Sequence, residues 1–273
     1  MRIPIDVLGG QHLNVESQGS GVPVVALHGF TGSSATWSRM TTFLKEEFTV
    51  VTVDLPGHGD SAVPSGKCRY SMESHIRTLI EVLDHLRLQK VVWLGYSLGG
   101  RIALSTAVNA PERTMGLVVE SGSPGLPTVE EREKRCDEDA KLADWIEDVG
   151  ISDFVDYWQG IPLWASQSRL TELEREKLRA QRLNNDVLGL ANSLRGVGTG
   201  SQPSVHDQLS KLGMPVLLLA GTEDTKYVEI AREMHHVIPA SVLEIVPESG
   251  HAIHLERPDL FGDIVQDFLR TSV

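Results

Sequence analysis

The residues best suited to chemistry stand in Gly95-Tyr96-Ser97-Leu98-Gly99, where an apolar run, Val91-Val92-Trp93-Leu94, leads into a serine flanked by glycines. Gly100-Arg101-Ile102-Ala103-Leu104 follows with helical character, so the spacing predicts a strand, a tight turn and a helix with Ser97 lifted above a sheet edge. An ordinary turn serine is the bland alternative, and the flanking strand and helix weigh against it. A serine hydroxyl is a weak nucleophile or base unless a histidine takes its proton and a carboxylate holds that histidine in the right tautomer. Of the ten histidines, His251 in Glu248-Ser249-Gly250-His251 follows the last apolar run and can reach back over Ser97. His254 reads as structural or pocket-lining. Gly221-Thr222-Glu223-Asp224 offers the acid, with Asp224 preferred over Glu223; a helix-capping aspartate is the competing reading. Leu27-His28-Gly29-Phe30-Thr31-Gly32 brings backbone amides to the same edge, so the Phe30 and Leu98 N–H groups form a candidate oxyanion hole. Arg101, four residues after Ser97, shares its helical face, where a guanidinium can meet a substrate carboxylate; a packing or surface arginine is the alternative. No His/Cys/Glu spacing predicts a metal site and no glycine loop fits a nucleotide phosphate.

These groups need a scaffold, and the apolar pattern describes one. Val22–Leu27, Phe48–Val53 and Lys90–Leu94 are short, valine-rich and without in-out alternation, as strands buried on both faces of a parallel sheet should be. Gly116–Glu120, Pro215–Ala220 and Val242–Val246 continue the set. Ile3–Val7 and His12–Glu16 around Gly9-Gly10 predict an antiparallel hairpin at the start. Met72, Ile76, Leu79, Ile80, Leu83 and Leu86 recur at helical spacing behind Ser71 as cap, Leu98–Val108 reads as a helix, and another runs from Pro258 towards Leu269. From about Pro124 to Ser204 the strand pattern stops. Thr128-Val129-Glu130-Glu131 and Thr171-Glu172-Leu173-Glu174 fit capping boxes, so residues 124–204 are expected to form a helical cap on a core of residues 1–123 and 205–273. A flexible charged linker is disfavoured by Trp145, Phe154, Tyr157, Trp158 and Trp164.

The 273 residues suffice for one α/β domain with an insertion. A net charge of −12 disfavours nucleic acid and anionic membranes as partners. Neither a signal peptide nor a stretch of membrane-spanning length is evident, so a cytoplasmic protein without stable membrane insertion is the simplest expectation. Cys68 and Cys136 are expected to be free thiols. Oligomeric state is left open.

The motifs above, with Ser123-Pro124-Gly125-Leu126, Arg182-Leu183-Asn184-Asn185 and Gly198-Thr199-Gly200-Ser201-Gln202-Pro203, carry a resemblance across nearly the whole chain. The sequence resembles the 2-succinyl-6-hydroxy-2,4-cyclohexadiene-1-carboxylate synthases of menaquinone biosynthesis, in the α/β-hydrolase superfamily. That resemblance implies the α/β-hydrolase fold, a mostly parallel sheet with flanking helices and a helical cap, in which the triad runs Ser, Asp, His and the acid follows a late strand. It implies a lyase that eliminates pyruvate from 2-succinyl-5-enolpyruvyl-6-hydroxy-3-cyclohexene-1-carboxylate without a cofactor. Ser97 would be the base, Arg101, Arg135 and Arg182 would bind the carboxylates of a small polycarboxylate substrate, and Tyr96 and Trp158 would wall the pocket. Without the resemblance, Arg135 and Arg182 read as helix salt bridges and Trp158 as cap core. A carboxylesterase or carbon–carbon bond hydrolase with Ser97 as nucleophile is the runner-up, and a non-catalytic ligand receptor the alternative of another class. Dehalogenase and epoxide-hydrolase chemistry is disfavoured, since those relatives usually carry aspartate at the elbow.

Overall fold

A continuous apolar run leaves no polar face for water, so each such strand must be covered on both sides. The computed structural model, which describes residues 2–7 and 11–273, meets this demand with an eight-stranded sheet. Its strands are β1 (Arg2–Val7), β2 (Gln11–Gly19), β3 (Val22–Leu27), β4 (Phe48–Val53), β5 (Val91–Tyr96), β6 (Thr114–Glu120), β7 (Val216–Gly221) and β8 (Ser241–Val246). The spatial order is β1-β2-β4-β3-β5-β6-β7-β8; β2 is antiparallel to β1 and β4, and every other pairing is parallel. The strand pairing expected at the start is present, while the Gly9-Gly10 turn lies outside the described residues. β5 and β7 are buried at every residue, whereas edge strand β8 alternates exposed and half-buried positions, leaving Val242 exposed.

Helices α1 (Ser38–Leu44), α2 (Met72–His85) and α3 (Leu98–Asn109) follow β3, β4 and β5. The Ser71 hydroxyl accepts from the Ser74 amide, capping α2 where the sequence placed its start. Between β6 and β7 the chain leaves the sheet for α4 (Val129–Trp158), a 3-10 segment (Pro162–Arg169), α5 (Glu172–Leu183) and α6 (Val187–Val197). Both predicted capping boxes form, Thr128 with Glu131 and Thr171 with Glu174. α4 is broken at Gly150, whose φ of 79° no ordinary helix residue adopts. Its two halves fold back on α6 around Ala143, Ile146, Phe154, Leu190 and Leu194, a separate apolar cluster that a mobile linker would not have. The chain then returns to the sheet, with α7 (Thr225–Val237) after β7 and α8 (Ile253–Glu256) and α9 (Pro258–Ser272) after β8. One sheet face packs on α2, α3 and α7, the other on α1 and α9. Cys68 and Cys136 are free thiols. Among the described residues no helix is long and apolar enough to cross a membrane.

Candidate active site

The parallel strands end along one edge, and the turn after β5 is tight. A Cβ at Gly95 would collide with the Gly99 carbonyl, and one at Gly99 with the Leu27 carbonyl, so only glycine lets α3 start this close to β3 and β5. Ser97 between them has φ 51° and ψ −109°, a strained conformation held by its amide donating to the Glu120 carbonyl (2.8 Å) and its carbonyl accepting from Arg101 N–H (3.0 Å).

After β7, Glu223 N–H donates to the Ser249 carbonyl (2.9 Å), which ties the β7 loop to the loop that follows β8. That contact brings Asp224 beside His251. His251 Nδ1–H donates to Asp224 Oδ2 at 2.6 Å, and Nε2 accepts from Ser97 Oγ at 2.9 Å. Asp224 does occupy the N-cap position of α7, yet its carboxylate makes no capping bond and goes to His251 instead. Glu223 is exposed and pairs with Arg169. His254 turns the other way: its Nδ1–H and backbone N–H reach the fully buried Glu120 carboxylate, and its ring packs on Trp37 and Tyr96.

The loop after β3 crosses above Ser97, where a Cβ on Gly29 would sit 3.5 Å from the Ser97 Cβ. His28 sets the orientation of the Gly29–Phe30 peptide. Leu55 N–H donates to His28 Nε2 (3.0 Å), so the proton is on Nδ1, which donates to the Gly29 carbonyl (2.8 Å). Burial lowers the His28 pKa and keeps the ring neutral, as this pairing requires. In a trans peptide C=O and N–H point oppositely, so the Phe30 amide is directed away from His28. The Leu98 amide opens α3 and has no intrahelical acceptor. Asn185 Nδ2–H donates to the Thr31 carbonyl (2.9 Å), fastening the helical insertion to this loop.

A cavity of about 150 Å³ lies over Ser97 and His251. Its walls include Phe30, Tyr96, Leu98, Arg101, Arg135 and Trp158, all expected from sequence, together with Trp164 and Tyr227, which were missed. Tyr227 stacks edge-on against His251 at 4.6 Å; its position three residues past Asp224 on α7 is the signal that would have found it. Trp164 carries no such local signal.

The three arginines differ. Arg101 is 8% exposed; its Nη1 donates to the Val197 carbonyl and Gln202 Oε1, both at 2.9 Å, and it has no carboxylate partner among the described residues. Burial lowers its pKa to about 10. Arg135 pairs with Asp139 at 2.8 Å, the helix salt bridge of the bland reading, while also lining the cavity. Arg182 is not brought to this cavity. It is 4% exposed and lies across the Trp164 ring, 5.3 Å from its centroid, lining a neighbouring cavity; burial lowers its pKa to about 10 as well. Among the described residues no cluster of three or more His, Cys, Asp and Glu side chains is placed to hold a metal ion.

Comparison with known proteins gives this geometry a family. The family described as alpha/beta hydrolase fold matches residues 22–258. A Bacillus subtilis (strain 168) protein named "Putative 2-succinyl-6-hydroxy-2,4-cyclohexadiene-1-carboxylate synthase" is 47% identical over 92% of this chain and 90% of its own. The 2-succinyl-6-hydroxy-2,4-cyclohexadiene-1-carboxylate synthase of Serratia proteamaculans (strain 568) is 30% identical over 90% of this chain and 92% of its own. Among solved structures, MenH from S. aureus superposes with a TM-score of 0.90 at 32% identity, covering 95% of this chain and 98% of its own. A malate-bound esterase from Thermogutta terrifontis superposes with a TM-score of 0.87 at 28% identity, covering 99% and 98%. The chain belongs to the α/β hydrolase fold family and, within it, to the 2-succinyl-6-hydroxy-2,4-cyclohexadiene-1-carboxylate synthases.

Proposed function

We propose that this chain eliminates pyruvate from 2-succinyl-5-enolpyruvyl-6-hydroxy-3-cyclohexene-1-carboxylate with Ser97, His251 and Asp224 as a proton-abstracting triad. The observation that carries the reading is Arg101: a buried guanidinium without a carboxylate partner in the cavity that holds the Ser97–His251–Asp224 chain. A cation desolvated in this way is stabilised by an incoming carboxylate. Residues 124–204 act as a cap over the core of residues 1–123 and 205–273, with Arg135 and Arg182 as further carboxylate ligands and Tyr96 and Trp158 as walls.

In the reaction, Ser97 Oγ takes the proton from the ring carbon next to the succinyl carbonyl while its own proton passes to His251 Nε2. Asp224 stabilises the imidazolium. The C–H electron pair forms the double bond between ring carbons 2 and 3, the existing 3,4 double bond shifts to carbons 4 and 5, and the carbon 5–oxygen bond breaks with its pair leaving on the enolpyruvyl oxygen. That enolate takes up the proton that His251 carries and becomes pyruvate. Negative charge building on the succinyl carbonyl meets the Phe30 and Leu98 amides, held at fixed positions by His28 and by the start of α3. No acyl-enzyme is formed.

The test is pyruvate release from the enolpyruvyl substrate, with Ser97→Ala as control. Release by the wild type and none by the variant is expected. A wild type that releases none yet cleaves p-nitrophenyl esters rapidly would establish instead a carboxylesterase with Ser97 as nucleophile.

A further inference from the structure

The cavity over Ser97 is small for its task. Sites for molecules of drug size occupy roughly 300–1,000 Å³, and this one has about 150 Å³. Behind one of its walls lies a second cavity, of about 330 Å³, inside the helical insertion. The two share Trp164. One edge of the indole packs against the His251 ring at 5.5 Å, and Arg182 lies over its face.

The second cavity is lined in part by poorly satisfied donors. Arg182 is 4% exposed and has no carboxylate partner among the described residues; its one hydrogen bond, to Gln167 Oε1, is long at 3.4 Å. Gln167 is 6% exposed, and its Nε2 is buried with no acceptor. The Trp164 Nε1 is likewise buried and unpartnered. Buried donors without acceptors are costly, and a cation among them more so. All three belong to residues that line one cavity, and with the only side-chain carbonyl oxygen among them already taken by Arg182, they select an anionic occupant. No hydrogen bond holds the indole, which is kept in place by ring packing and by the Arg182 guanidinium over its face. Trp164 and Gln167 both belong to the 3-10 segment Pro162–Arg169, whose eight residues exceed the usual three or four and whose hydrogen-bond geometry is poorer than that of an α-helix. The segment is pinned beyond the indole, by Ser166 Oγ–H donating to Glu256 (2.9 Å) and by Arg169 pairing with Glu223 (3.0 Å). Its Trp164 end has no such tie.

We propose that Trp164 is a movable partition, and that the cavity behind it is a subsite in which Arg182, Gln167 and the displaced indole N–H take a carboxylate-bearing arm of the substrate. This rests on the lyase reading for the identity of the arm, but the partition is tested without it. When the indole turns, the two cavities join, Arg182 gains the carboxylate it lacks, and the ring carbon stays over Ser97. Gln167 thereby becomes a specificity-determining residue and Trp164 a positioning one.

The chain has five tryptophans, so 5-fluorotryptophan labelling yields five fluorine resonances, and Trp164→Phe identifies which belongs to the partition. Succinate is titrated into the wild type, and the enolpyruvyl substrate into Ser97→Ala protein to prevent turnover. The Trp164 resonance should shift saturably with both ligands. Arg182→Gln and Gln167→Leu should each raise the midpoint for succinate about tenfold or more, as loss of a charge-assisted hydrogen bond does. A Trp164 resonance that stays fixed at saturation, or a midpoint indifferent to both variants, overturns the proposal. If the resonance responds to succinate but the wild type releases no pyruvate, the subsite stands and the lyase reading falls.

Discussion

Replacing Arg101 by Met removes the charge while keeping most of the side-chain volume. Burial lowers the Arg101 pKa from its ordinary value to about 10; at 1.36 kcal/mol per pKa unit, the folded protein bears about 3 kcal/mol for holding this cation without a counter-ion. Because the group is still protonated at pH 7, that cost is constant across the neutral range. The variant is spared it. Against this stands the loss of two hydrogen bonds, to the Val197 carbonyl and the fully buried Gln202 Oε1, each about 1–3 kcal/mol once the acceptor is left unsatisfied. The effects partly offset, from about 1 kcal/mol gained to about 3 kcal/mol lost, so the ligand-free variant should melt no more than about 12 °C below the wild type, since 1 kcal/mol moves Tm by roughly 2–4 °C in a chain of this size. Substrate binding has no such compensation. Losing a charged hydrogen bond in a desolvated site costs about 1.5–3 kcal/mol, so KM for pyruvate release should rise about 10- to 100-fold. The assays are thermal melting without ligand and steady-state pyruvate release, with hydrolysis of a neutral ester as the reference reaction. A KM within twofold of the wild type, or an equal loss on the neutral ester, would refute the carboxylate role. A fall in Tm beyond about 15 °C would make Arg101 a structural strut between α3 and the insertion.

Asp224→Asn should leave the fold intact and lower kcat by roughly 10³–10⁴-fold, because an amide facing His251 Nδ1 favours the wrong tautomer; a loss under tenfold would remove Asp224 from the triad. Gly29→Ala places a methyl 2.6 and 2.8 Å from two Tyr96 ring carbons, so the loop must shift and take the Phe30 amide with it; kcat should fall about 10²-fold with little change in KM, and an unchanged kcat would separate Phe30 from charge stabilisation. Burial lowers the His75 pKa to about 4 and also lowers those of His28 and His58. The unfolded chain binds these protons near pH 6.5 and the folded one does not, so stability is full above 6.5 and is lost as pH falls towards 4. His75 alone accounts for about 2 kcal/mol at pH 5. Urea midpoints at pH 7.5 and 5.0 should show this loss reduced in His75→Gln, and an unaltered difference would place the acid sensitivity elsewhere.

What the sequence disclosed was whatever is settled within a few residues. The elbow at Ser97 depends on glycines two positions either side, and the capping boxes at Thr128 and Thr171 on a glutamate three positions on; each formed at its expected place. The end of α2 at His85, one residue before the last periodic leucine, is the ordinary uncertainty of a fraying turn. Where this fold places its acid favours Asp224 over Glu223, and it is Asp224 that meets His251, but the tie of the β7 loop to Ser249 that brings it there is revealed by no local pattern. The kink at Gly150 was hidden for a related reason: a glycine inside a charged helical pattern reads as tolerated until an apolar cluster is seen to require the fold-back.

The arginines show where local reading stops, since the environment of a cation is set by whatever packs opposite it. Arg135 has its acid one helical turn away at Asp139, so its salt bridge belongs to α4 and would form without a ligand. Arg101 instead meets Val197 and Gln202, brought from nearly a hundred positions along the chain, and Arg182 meets the face of Trp164. Neither partner neutralises a charge. Burial lowers the pKa of Arg101 and of Arg182 to about 10, whereas Arg135 keeps its counter-ion. The two uncompensated guanidinium groups line two different cavities that share Trp164 as a wall. A ligand with a single carboxylate can relieve only one of them. Relieving both requires a molecule with at least two carboxylates and a partition that moves, and charge compensation thereby couples substrate choice to the position of one indole ring.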